Sequence, residues 1–120
     1  MGDITTSDDI HELVGRFYRA LVVDPVIGHF FVGIELEHHL PRIAAFWEMV
    51  LLDKPGYTTN VTDVHLKLHQ RIPMERAHFD RWLELFRKAV DERYAGANAE
   101  EAKLRAVSIA TVMLIKVQAR

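Results

Sequence analysis

Apolar residues recur along this chain at intervals of three and four, and no segment alternates with period two over enough length to make a strand. Ile10, Leu13, Val14, Phe17 and Leu21 form the first stripe, with Tyr18 at its edge. Ser7 is a candidate N-cap, and Asp8 and Asp9 after it suit the positive end of a helix dipole. Pro25 pushes the residue before it out of helical geometry, so this helix is expected to stop there. A tight connection, DPVIGHFFVG, follows, in which Gly28 and Gly33 bound the pair Phe30–Phe31. The next stripe spans 35–52, with Leu36, Leu40, Ile43, Ala44, Trp47, Val50 and Leu51 on one side. Proline is tolerated in the first turn of a helix, so Pro41 places the regular start near His39. His39, Ile43, Phe46 and Val50 form an overlapping stripe, giving this helix two environments.

Pro55–Gly56 marks a turn, and a short apolar helix over 61–70 is ended by Pro73. A longer helix over 74–94 carries Phe79, Trp82, Leu83, Phe86, Ala89 and Val90 on its apolar face and closes at Ala95–Gly96. The last, over 98–118, takes Asn98 as its cap and repeats Ala102, Ala106, Ile109, Met113 and Val117. The pattern predicts an all-α fold of about five to six helices.

With 120 residues the chain is expected to form one domain, 1–120, around a single core. A net charge of −2 with scattered Lys and Arg argues against nucleic-acid or membrane partners. The absence of cysteine excludes disulfides, iron–sulfur clusters and thiolate zinc sites. No apolar run reaches the roughly 18 residues of a membrane span, and the acidic start MGDITTSDDIHEL is unlike a signal peptide, so a soluble cytoplasmic protein is expected.

The candidate chemistry lies in histidine. Seven are present, six of them between positions 29 and 78. His65 and His69 stand four residues apart, on one helix face, beside Leu66, Leu68 and Ile72. A neutral imidazole ligates metals at physiological pH and tolerates apolar surroundings better than a charge does. As a lone pair they fit surface positions equally well. Tyr18 likewise reads either as a boundary core residue or as a functional one, because its ring is apolar and its hydroxyl needs a partner.

Order and spacing go further than any single piece. The Phe17–Tyr18 pair followed by Asp24–Pro25 and Phe31, His39 followed by Phe46–Trp47, and HLKLHQRIP followed by HFDRWLELF together resemble the truncated haemoglobins, most closely their third group, over nearly the whole chain. The Gly–Gly turns of the first two groups are absent, as in the third. Leu36 stands where some relatives have tryptophan, and the loop before the histidine helix lacks the usual Gly–Asn–Pro. The resemblance implies a truncated globin fold, a two-on-two helical sandwich around one haem b.

It also implies site residues. In the family the proximal histidine precedes a proline by four residues and a tryptophan by about thirteen; His69 matches both, through Pro73 and Trp82, and His65 matches neither. On the opposite face the resemblance carries a ligand-facing role onto Tyr18, His39 and Trp82. Phe30, Phe31, Ile43, Phe46, Leu68, Ile72, Phe79, Phe86 and Met113 become candidates for the haem walls, or else plain core. Arg42 and Arg71 become candidates for the propionates. Diatomic gases, oxygen and nitric oxide, would be the ligands, with a reductase as a possible electron donor. The implied tasks are redox or detoxification chemistry (nitric oxide dioxygenase-like or peroxidase-like), or oxygen transport. Two rivals need no haem. A helical metal site can be drawn from His65 and His69 with Asp63 or His78, although a di-metal bundle normally draws inward glutamates from several helices. An interaction module with surface histidines is the other.

Overall fold

The computed structural model describes residues 1–32, 35–54 and 75–118, with side chains as far as residue 115. The described residues form four α-helices and one 3₁₀ turn and contain no strand. They are α1 (Ser7–Val23), the turn Gly28–Phe31, α2 (Leu36–Leu52), α3 (Arg76–Arg93) and α4 (Ala97–Gln118). Helices α1 and α2 pack as one pair and α3 and α4 as another, and α1 lies against α3 to join them. The expected segment 61–70, with His65, Leu68 and His69, lies outside the described residues, as do Arg71 and Ile72.

Local chemistry explains the boundaries. Helix α1 is capped one residue earlier than its sequence suggests. Thr6 is the N-cap: its hydroxyl accepts from the Asp9 N–H at 3.1 Å, and the Asp9 carboxylate accepts from the Thr6 N–H at 3.1 Å. This reciprocal box satisfies donors that a helix start leaves without partners. Ser7 is instead the first helical residue, and its hydroxyl accepts from Lys54 Nζ at 2.5 Å. Helix α2 begins at Leu36, a turn before the start expected from Pro41, so the proline sits inside the helix. The ring removes one backbone donor on an exposed face, where water can satisfy the freed carbonyl.

Helix α4 is capped from far away in the chain. Asp3 accepts from the Asn98 N–H at 2.9 Å and the Ala99 N–H at 2.8 Å, while the Asn98 side chain donates to the Ile4 carbonyl at 2.7 Å. Asn98 therefore ties the N-terminal segment down, and Asp3 supplies the cap. Gly96, at φ +143°, makes this possible: a Cβ there would come within 2.6 Å of the Asp3 side chain.

The core is aromatic on one side and small on the other. Trp47 stacks on Phe86 at 5.0 Å and Phe86 on Trp82 at 5.9 Å, while Phe17 meets Phe86 and Trp82 edge-on at 5.0 and 5.6 Å. Such pairs contribute about 0.5–1.5 kcal/mol each beyond their buried area. Helix α4 buries Ala99, Ala102, Ala106 and Ala110 in one line, and these short side chains let it lie close against α3.

Candidate functional site

Helices α1, α2, α3 and α4 each send side chains to one small cavity. Among the described residues it is lined by Phe17 and Tyr18, by Ile43, Phe46 and Trp47, by Trp82, and by Ile109. The space open to the centre of a water-sized molecule is about 10 Å³, roughly what one small molecule requires. Among the described lining residues, the polar side-chain groups are the Tyr18 hydroxyl and the indole N–H groups of Trp47 and Trp82.

Tyr18 is the notable member. It is buried, its ring held edge-on by Phe17 at 5.2 Å and by Phe31 at 6.1 Å. Among the described residues its hydroxyl makes no hydrogen bond, and burial alone drives its pKa well above the ordinary phenol value. The group is therefore a proton-bearing donor throughout the neutral range. Tyr94, whose hydroxyl is also held protonated, first by burial and then by Glu12, donates to that carboxylate at 2.8 Å and serves packing between α1 and α3. Trp82, on α3, lines the cavity with Nε1 buried, and an indole nitrogen can only donate.

His39 sits in the first turns of α2, half-buried, its ring edge-on to His38 at 5.6 Å. Burial holds its pKa below the usual imidazole value, and the neighbouring charges of His38 and Arg42 lower it further, against Glu35, which raises it. It does not line the cavity among the described residues. Arg42, one turn on, is exposed.

The expected wall residues separate into groups. Ile43 and Phe46 line the cavity, and Phe31 supports Tyr18 from behind. Phe86 is fully buried between the two tryptophans and belongs to the core, as does buried Met113. Phe30 packs on the rings of His29 and His78, at 4.2 and 4.7 Å. Phe79 lines a different hollow, between α3 and α4, with Leu83, Ala110 and Leu114. His78 takes no part in the cavity; its Nδ1 accepts from the Glu75 N–H at 2.8 Å and caps α3. Groups of three or more metal-binding side chains are absent among the described residues.

Phe17, Trp47 and Ile109 line the cavity although their periodicity reads as core. Their neighbours Tyr18 and Phe46 are the only local signal, since Ile109 arrives from a helix distant in sequence. A second feature, with no role of its own assigned from sequence, joins the end of α1 to α3. The Asp24 carboxylate is buried at the end of α1, where one oxygen accepts from Arg81 Nε at 3.0 Å and Nη2 at 2.6 Å. Its other oxygen accepts from the N–H groups of Val26 and Ile27 at 3.0 and 3.2 Å. The Arg81 hydrogen bonds hold the Asp24 carboxyl below the usual carboxylate range, with burial opposing them.

A family model described as bacterial-like globin matches residues 2–115 of this chain. Among solved structures, the chain is similar to the group III truncated haemoglobin from Campylobacter jejuni. The identity is 25%, the TM-score is 0.84, and the match covers 98% of this chain and 95% of that one. No curated protein matches.

Proposed function

From the premise that this chain belongs to the bacterial-like globin family and is a haem-binding globin, we propose that it holds haem b on His69 and takes oxygen and nitric oxide for redox or detoxifying chemistry. The observation that carries this reading is the buried Tyr18 hydroxyl beside a cavity sized for one small molecule. The donor set fits a haem: the lining is largely apolar, and a buried phenol and an indole, both proton donors, stand among its residues. Haem, when bound, supplies an iron that takes a diatomic gas as ligand and exchanges electrons with it.

The chain's own residues do the rest. Phe17, Ile43, Phe46, Trp47 and Ile109 exclude water, which strengthens any hydrogen bond made inside. Tyr18 keeps its proton because burial disfavours the phenolate, so it donates to a ligand that gains negative charge. Trp82 is the second donor in this reading. His39, held neutral at pH 7, can donate from one ring nitrogen and accept at the other. Tyr18 and Trp82 at the cavity, with His39 outside its described lining, are more polar groups than reversible storage requires, because each donor that reaches the ligand slows release; this favours reaction over transport. His69 enters through its spacing to Pro73 and Trp82. Arg42 and Arg71 are assigned to the propionates on the same footing, and a reductase is the natural electron donor.

Tyr18→Phe removes one hydroxyl and keeps the packing. A hydrogen bond to a charged acceptor contributes roughly 1.5–3 kcal/mol, so oxygen should leave the loaded ferrous protein roughly tenfold faster or more. Stopped-flow mixing with nitric oxide and with hydrogen peroxide then separates the tasks. Fast turnover of nitric oxide by the oxygen-loaded protein, ahead of peroxide, is expected; sluggish reaction with both, together with rapid oxygen release, would defeat the reactive reading.

A further inference from the structure

We infer that Asp24 and Arg81 are positioning residues that fix the separation of Tyr18 and Trp82 across the cavity, and so the retention of the ligand held there. Asp24 closes α1 six residues after Tyr18, and Arg81 stands immediately before Trp82 on α3. Their two hydrogen bonds, at 3.0 and 2.6 Å, pin the helix that carries one donor to the helix that carries the other. The remaining Asp24 oxygen holds Val26 and Ile27, and the Asp24 carbonyl accepts from the Gly28 N–H at 2.9 Å. The carboxylate thereby also sets the turn that brings Phe31 against the Tyr18 ring. Gly28 permits that turn, since a Cβ there would meet the Val22 carbonyl oxygen at 2.8 Å.

The cavity makes the clamp matter. The space is small, about 10 Å³ to a water-sized centre among the described residues, and a shift of a few tenths of an ångström between α1 and α3 changes a hydrogen-bond length inside it. Asp24 accepts four hydrogen bonds, which fills its lone pairs, and its geometry is accordingly over-determined. Arg81 also donates to Glu84 at 2.7 Å, which holds the guanidinium from its exposed side.

This inference rests on the assignment of Tyr18 as a donor in the proposed haem site, and the test separates the two. Carbon monoxide dissociation and the width of its stretching band are measured in the haem-loaded ferrous protein, with melting followed in parallel. Arg81→Met and Asp24→Asn should quicken dissociation about threefold to tenfold, the range of one hydrogen bond, and broaden the band. Arg81→Lys, which retains one contact, should fall between them and the parent, and it decides the matter if Arg81→Met does not fold. Asp3→Ala is the control, since it weakens the cap of α4 and should lower the melting temperature without moving either readout. Equal effects from Asp3→Ala, or silent Arg81 variants beside an active Tyr18→Phe, would overturn the positioning role. If Tyr18→Phe is silent too, the donor assignment falls and the clamp with it.

Discussion

Tyr18 and Tyr94 show how the same side chain acquires different duties from its surroundings. Both are held protonated, but Tyr94 spends its hydrogen on Glu12 while Tyr18 faces a cavity. Sequence alone left Tyr18 between core and function; the structure buries it and places it in the cavity lining, and its donor role is the one proposed above. His65 and His69 remain where sequence put them, because both fall outside the described residues. Their roles are separable by substitution. His69→Ala should abolish native five-coordinate ligation in the ferrous haem spectrum, whereas His65→Ala should leave it nearly intact. The opposite pattern would shift the proximal assignment, and the register of its helix, by one turn.

At the scale of elements, the local sequence specified which stretches become helices far better than where they start. Periodicity located α1, α2, α3 and α4, because burial of one face at intervals of three and four is a local property. The cap of α4 was not legible, since its acceptor, Asp3, lies 95 residues before Asn98. The early start of α2 was misjudged because a proline on a solvent face costs less than its propensity suggests. The cavity was half legible: Tyr18, Ile43, Phe46 and Trp82 carried a signal, whereas Ile109 joins them only through tertiary packing. The cap correction has a consequence. Removing an N-cap acceptor costs about 0.5–2 kcal/mol, so Asp3→Ala should destabilise the protein by about that amount in urea titration. Asn98→Ala keeps both backbone bonds to Asp3 and should cost less; the reverse order would restore Asn98 as the cap.

Acid response belongs to the whole molecule, because its ionised carboxylates join separate elements. Glu12 is held low, first by its hydrogen bonds from Arg16, against burial, and then by Tyr94; this network ties α1 to α3. Asp24 is held low by Arg81. For Asp3 burial pushes upward, but the Asn98, Ala99 and Ile4 N–H groups together outweigh it and leave the carboxyl lowered. A carboxyl whose folded pKa lies below its unfolded value binds fewer protons when folded. The stability it contributes is present above the unfolded value, about 4, and is lost as pH falls from there through the folded value. His39 adds an earlier stage with the same sign. Its folded pKa is depressed by burial, so the unfolded chain takes up a proton first, and stability declines as pH drops below about 6.5. Urea unfolding of the whole protein at about pH 7.5, 5.5, 4.5 and 3.5 samples both windows. The difference between the parent and His39→Gln should change between the first two points and then level off. The difference between the parent and Asp24→Asn should stay constant above about pH 5 and shrink towards pH 3.5, as the native carboxylate loses its advantage. Difference curves that run flat across both windows would mean that neither group is shifted by folding, and that the Asp24–Arg81 link contributes nothing that ionisation controls.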